Sequence, residues 1–79
     1  MNTPTKRSIA FGKRLQKART EKGISQRQLE ELLHCGQASV SFWESGKKYP
    51  RPESVLRIAV ALNVKAGWLL FGDKEQQTK

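Results

Sequence analysis

The sequence predicts an all-α domain. Apolar residues recur three and four positions apart in several separate stretches, which is the spacing of one face of a helix rather than of a strand. Breaks that contain Gly, Asn or Pro separate these stretches, and such residues end helices or form the turns between them. With 79 residues, 37% of them hydrophobic, the chain has the size and composition of one small globular domain.

The chain is strongly basic, with 15 Lys and Arg residues against 7 Asp and Glu residues. The resulting charge of +8 favours a polyanionic partner, although a charged, well-solvated surface accounts for it as well. A single Cys cannot form an intrachain disulfide, and no apolar run is long enough for a signal peptide or a membrane span. We therefore expect a cytoplasmic protein that does not bind a membrane.

The first helix is expected from residue 8 to residue 22, with Ser8 as its N-cap. Phe11, Leu15 and Ala18 lie at positions i, i+4 and i+7, so they predict one buried stripe. The remaining surface carries basic residues that we expect to be solvated, namely Lys13, Arg14, Lys17 and Lys22.

Residues 24 to 46 predict two short helices joined by a tight turn. Ser25 is a good N-cap, and Gln28, three residues later, completes a capping box. The apolar face of the first helix is expected to consist of Leu29, Leu32 and Leu33. Two such helices, separated by three or four residues, have the dimensions of a helix-turn-helix.

The apolar pattern is interrupted after this first helix and resumes in a second one. Val40 and Trp43, three positions apart, give the second helix its inward side, and Gly46 provides its end. We expect this helix to start at Gly36 or Gln37.

This stretch resembles the helix-turn-helix of the lambda-repressor-like family, which includes Cro and the phage repressors. The residues that carry the resemblance are Ser25, Gln26, Leu29, Leu33, Ser41, Trp43, Glu44 and Gly46. Glu30 departs from the family pattern, because a small residue is usual where the two helices approach closely. His34 departs as well, because it replaces a glycine of the turn. The resemblance implies a compact five-helix domain that binds DNA.

Two further helices are expected after a basic, proline-containing loop. Pro52 should begin the fourth helix, with Glu53 in its first turn and Asn63 at its end. Its apolar face is expected to consist of Val55, Leu56, Ala59 and Leu62. Residues 64 to 71 correspond to the short fifth helix of the resembling family.

Four large apolar residues follow one another at the end of the domain, from Trp68 to Phe71. They cannot all face inward on one helix, so we expect Leu70 or Phe71 to be exposed and to form a dimer interface. The predicted organisation is a flexible basic arm at residues 1 to 7, the DNA-binding domain at residues 8 to 72 and a disordered tail at residues 73 to 79.

A recognition helix enters the major groove with its N-terminal residues at the base edges. The side chains expected to face the bases are Gln37, Ala38, Ser41 and Phe42. Gln37 matches the donor and acceptor of adenine, and Ala38 and Phe42 can contact thymine methyl groups. An alternative for Phe42 is that it belongs to the core.

Phosphate contacts are expected on both sides of this helix. The residues concerned are Ser25, Gln26, Ser39, Ser45, Lys47 and Lys48. The resemblance further implies that Gln26 braces Gln37 and that Arg19 pairs with Glu44. The residues themselves favour this pair, because Glu44 lies near the C-terminus of a helix, where the dipole disfavours a carboxylate.

We therefore expect a phage or prophage regulator of the Cro or repressor type, a homodimer that binds palindromic double-stranded operator DNA and is nucleoid-associated when bound. It is expected to regulate transcription, in most such proteins by repression. An antitoxin with the same domain and a protein-interaction module on this fold are the alternatives. One His and one Cys are too few for a metal site, and no glycine-rich phosphate loop is present. We expect no enzyme activity, cofactor or small-molecule ligand.

Overall fold

The computed structural model describes residues 4–72, which form five α-helices. Their bounds are Lys6–Lys22 (α1), Gln26–Leu33 (α2), Ser39–Ser45 (α3), Pro52–Leu62 (α4) and Ala66–Phe71 (α5). The predicted all-α fold of five helices is confirmed. Helix α1 takes in the last two residues of the predicted basic arm, whereas residues 1–3 of that arm and the predicted tail at residues 73–79 lie outside the described residues.

Helix α1 begins earlier than the sequence suggested, because Thr5 rather than Ser8 is its N-cap. The two residues form a capping box, in which the Ser8 N–H donates to Thr5 Oγ1 at 3.0 Å and the Thr5 N–H donates to Ser8 Oγ at 2.9 Å. The Ser8 hydroxyl also donates to the carbonyl of Gly46 at 2.9 Å. This buried bond ties the start of α1 to the end of α3.

Several other predicted helix ends are confirmed, although the predicted start of α3 is not. Ser25 and Gln28 form the capping box of α2, and Pro52 begins α4. The left-handed residues that end helices α1 to α4 are Gly23, His34, Gly46 and Asn63. His34 has a φ of 54°, a conformation that His and Asn adopt more readily than most residues with a side chain.

One hydrophobic core receives side chains from every helix. Its buried members are Phe11, Leu15, Ala18, Leu29, Leu33, Val40, Val55, Ile58, Ala59, Leu62, Trp68 and Leu69. Two predictions of core residues were wrong, since Leu32 and Leu56 are 57% and 59% exposed. Each directly adjoins a buried position and lies about 100° around the helix from it. In α4, Ile58 takes the buried place instead and is fully covered.

Helices α1 and α3 meet backbone to backbone at Gly12. A Cβ atom placed there would lie 2.4 Å from the carbonyl oxygen of Glu44, a distance that real contacts do not reach. Only glycine therefore permits this approach, which sets the position of α3 against α1.

Two arginines each donate hydrogen bonds to the C-terminal carbonyls of a different helix from their own. Arg14 Nε and Nη2 donate to the carbonyls of Leu69 and Leu70 at 2.8 Å and 3.0 Å, so the prediction that Arg14 is merely solvated was wrong. Arg57 donates to the carbonyl of Leu33 at the end of α2. Terminal helix carbonyls lack partners within their own helix and attract cations, so both contacts stabilise short helices.

Replacing Gly12 by Ala should lower the free energy of unfolding by about 1–3 kcal/mol or more, because the new methyl group forces the two backbones apart. Gly36→Ala is the matched control. A Cβ at Gly36 has its nearest neighbour, Ser39 Oγ, at 3.7 Å, an ordinary contact. Urea unfolding of both variants provides the comparison, and equal stabilities would show that α1 and α3 are not in backbone contact.

Candidate nucleic-acid interface

Arg19 and Glu44 form a buried, two-pronged ion pair between α1 and α3. Arg19 Nε lies 2.6 Å from Glu44 Oε2, and Nη2 lies 3.1 Å from Oε1. Their side chains are only 10% and 5% exposed. Arg19 Nη1 also donates to the carbonyl of Ile24 at 2.8 Å, just before α2. The pair expected from the sequence is thus present, and one guanidinium links three parts of the chain.

The side chain of Gln26 joins the same cluster. Its Nε2 donates to Glu44 Oε1 at 2.9 Å, which brings α2 onto α3. The family resemblance implied that this amide braces Gln37, whereas in the structure its nitrogen is bonded to Glu44. A buried carboxylate needs several hydrogen-bond donors to offset its lost hydration. The Gln26 amide nitrogen therefore donates to Glu44 in preference to Gln37.

Helix α3 begins at Ser39, later than the predicted start at Gly36 or Gln37. The Ser39 N–H donates to the Gly36 carbonyl at 3.2 Å, which closes a turn over residues 36–39. Within this turn Ala38 has a φ of 71°, where a side chain costs about 1–2 kcal/mol. Gln37 therefore precedes the helix and projects from the turn rather than from the helix face, and its side chain is exposed.

A carboxylate from α2 reaches the start of α3. Glu30 is 9% exposed, and its Oε2 accepts a hydrogen bond from the backbone N–H of Val40 at 3.1 Å. From the sequence, Glu30 was expected only to be an unusually large residue at a close helix approach. A polar side chain at a buried position needs a partner, and that requirement was the available signal.

The exposed residues of α3 and of the turn before it are Gly36, Gln37, Ala38, Ser41 and Ser45. Val40 points the other way and is fully buried. Phe42 is half-buried, and the ammonium of Lys48 lies 5.0 Å from the centre of its ring. This stacking places Lys48 directly against α3 and leaves Phe42 less exposed than the sequence suggested.

The chain after α3 is folded back onto the helix end. The backbone N–H groups of Lys47 and Lys48 donate to the carbonyl of Phe42 at 3.0 Å and 3.3 Å. The Ser45 hydroxyl donates to the same carbonyl at 3.1 Å. Both lysine side chains remain exposed. Ser25 is exposed at the N-cap of α2, and Ser39 is half-buried in the first turn of α3.

At the opposite end of the chain, Phe71 is 62% exposed on α5, whereas Leu70 is half-buried. Leu70 lines an apolar cavity of about 340 Å³ between α5, α4 and the loop before α4. The cavity is also lined by Arg7, Tyr49, Pro50, Pro52, Val55, Leu56 and Ala66. The exposed Phe71 directly follows this cavity-lining residue in the chain but does not itself line the cavity.

Residues 15–69 match the helix-turn-helix family model. The chain belongs to this family. It is 41% identical over 66 residues to the transcriptional activator BcrR of Enterococcus faecalis. The matched stretch covers 84% of this chain and 32% of BcrR. It is 30% identical to the transcriptional regulator DicA of Escherichia coli K12, over 90% of this chain and 53% of DicA. The chain thus spans about a third to a half of the length of these relatives.

Solved structures agree with the family. The restriction-modification controller protein C.AhdI of Aeromonas hydrophila has 32% identity and a TM-score of 0.74, over 78% of this chain and 94% of that chain. The P22 c2 repressor, determined in complex with a synthetic operator, has 28% identity and a TM-score of 0.76, over 80% and 96%. The resemblance to lambda-repressor-like proteins is therefore confirmed.

None of the helices in residues 4–72 is both long and apolar enough to cross a membrane. The same residues contain no group of three or more His, Cys, Asp or Glu side chains that could hold a metal ion. His34 and Cys35 both lie in the stretch between α2 and α3.

Glu44→Ala should lower the free energy of unfolding by about 3–5 kcal/mol, because it leaves Arg19 buried without its carboxylate. The chain offers a matched control in Glu31. Arg27 and Glu31 form an exposed pair at 3.9 Å, with side chains 83% and 71% exposed. Glu31→Ala should therefore cost about 0–1 kcal/mol. Denaturant unfolding of the two variants tests this, and similar losses would mean that the Arg19–Glu44 pair is effectively solvated.

Proposed function

We propose that this chain binds operator DNA through α3 and the turn before it, and that it regulates transcription, as repressors of this fold do, by excluding polymerase. The observation that carries the proposal is that α3 is held firmly from behind and exposed in front. A cluster of buried polar bonds, from Arg19 and Gln26 to Glu44, fixes its inner side, while its outer side is left exposed. The P22 c2 repressor, which is similar over four fifths of this chain, was determined with a synthetic operator.

Base recognition is assigned to the turn and the first part of α3. Gln37 projects from the turn, and its amide can pair with both polar groups of an adenine edge. Ser41, one helical turn further on, can donate to or accept from a base. Ala38 and the exposed edge of Phe42 offer apolar contact to thymine methyl groups.

Phosphate contacts are assigned to the flanks of α3. Gln26 is the first residue of α2, so its backbone N–H is unpaired within the helix and favours an anion. Lys47 and Lys48 place two exposed cations at the other flank, while Ser25 and Ser39 supply hydroxyl donors. Ser45 is the weakest member of this set, because its hydroxyl already donates to the Phe42 carbonyl.

A homodimer is proposed with Phe71 as its anchor. Aromatic side chains that fill pockets dominate the affinity of many interfaces. In a two-fold dimer each Phe71 can enter the apolar cavity beside Leu70 of the other copy, because both copies contribute the same surface. Two copies would then present two α3 helices to a palindromic site.

Gln37→Ala should relax the base preference at one position of each half-site, since a bidentate contact provides about 1–3 kcal/mol of discrimination. Lys48→Ala should keep the preferred sequence but reduce the log–log salt slope of binding by roughly 1, because one phosphate contact is lost. Lys47→Ala should resemble Lys48→Ala.

Selection of bound sequences from random duplex DNA, run on the parent and on the Gln37→Ala and Lys48→Ala variants, tests this assignment. The salt slopes are measured on the selected duplex. A parent that selects no consensus would overturn operator binding altogether. An unchanged consensus for Gln37→Ala would instead transfer the base contacts to Ser41 and Phe42.

Phe71→Ser should lower the dimer fraction in sedimentation equilibrium while the helical circular dichroism stays the same, because the side chain is 62% exposed in one copy. Val60→Ser is the matched control, since Val60 is 82% exposed on α4 and has no role in the proposed interface. A dimer fraction that is unchanged by Phe71→Ser, or lowered equally by Val60→Ser, would contradict the proposed anchor.

A further inference from the structure

Glu30 holds both ends of the turn that carries Gln37. Its backbone carbonyl accepts the N–H of Cys35 at 3.2 Å, where the chain leaves α2. Its side-chain Oε2 accepts the N–H of Val40 at 3.1 Å, where the chain enters α3. The path from residue 35 to residue 40 is thus closed by two bonds to a single residue.

Helix α3 receives a side-chain cap at its N-terminus only from this carboxylate of α2. It has seven residues, and its N-cap, Ala38, has no side-chain oxygen with which to accept a backbone N–H. Helices α1 and α2, by contrast, begin with complete capping boxes. A carboxylate at a helix N-terminus satisfies an unpaired donor and also complements the dipole.

The location of Glu30 argues against a direct role in binding DNA. A negative charge near a phosphate backbone weakens binding to any duplex, and Glu30 is in any case nearly covered by protein. What the side chain does is fix where α3 starts and how the turn before it is bent. Both determine where Gln37 and Ser41 stand relative to each other.

We infer that Glu30 is a positioning residue for sequence discrimination: through its bond to the Val40 N–H it holds the turn and α3 in the arrangement that reads the bases. This inference rests on the proposed operator binding. The two possible effects of replacing Glu30 can be told apart. Loss of its negative charge alone would strengthen binding to all DNA, whereas loss of its bond to the Val40 N–H weakens binding to the operator alone.

The experiment compares Glu30→Ala and Glu30→Gln with the parent, using the selected operator duplex and a scrambled duplex at one salt concentration. Glu30→Ala should lower the ratio of operator to scrambled affinity about tenfold, equivalent to about 1.4 kcal/mol. Glu30→Gln retains an oxygen acceptor for the Val40 N–H and should stay within about threefold of the parent ratio.

Glu31→Ala is the matched control, because it removes an exposed carboxylate from the next position of the same helix. It should leave the ratio unchanged. The fold of Glu30→Ala is checked by its helical circular dichroism. Should that signal be lost, Glu30→Asp replaces it, since Asp keeps the charge but is too short to reach Val40, and it should lower the ratio in the same way.

A parent that discriminates, together with a Glu30→Ala variant that discriminates equally well, would overturn this inference alone. So would a Glu30→Gln variant that loses as much discrimination as Glu30→Ala, because the oxygen acceptor would then be irrelevant. A parent that does not distinguish the two duplexes would overturn the proposed operator binding itself, and this inference with it.

Discussion

The rest of the structure depends on the hydrogen bonds that the buried carboxylate of Glu44 accepts. It receives hydrogen bonds from Arg19 of α1 and Gln26 of α2, so three helices are joined at one side chain. Helix α3 has seven residues and would not be stable as an isolated helix. Its position is therefore set by these bonds, and by the backbone contact that Gly12 permits on the same side.

Short helices in this chain are completed by side chains from elsewhere in the fold. Glu30 reaches from α2 to the start of α3, and Arg14 reaches from α1 to the last carbonyls of α5. Each contact satisfies backbone groups that a short helix leaves unpaired at its ends. The consequence for function is that the surface proposed to meet DNA is held by polar bonds behind it, while its outward-facing side chains remain free to contact a partner.

Local signals in the sequence predicted much of this structure. The capping box at Ser25 and the left-handed helix end at Asn63 both follow from neighbouring residues. Long-range contacts were harder, because nothing near Arg14 indicates that α5 lies within its reach. The exposure of Leu56 was missed for a different reason: adjacent apolar residues leave a helix face uncertain by about 100°, and only packing decides it. The start of α3 was misplaced because Ala38 carries no signal for positive φ.

The most direct test of this account is a titration of the ¹⁵N-labelled protein with the selected operator duplex, followed through the backbone amide chemical shifts. The account predicts that the largest changes fall on residues 37–42, with further changes at Gln26 and at Lys47 and Lys48. Changes concentrated on α4 and α5, with the turn before α3 unaffected, would contradict the claim that α3 and its turn form the DNA-binding surface.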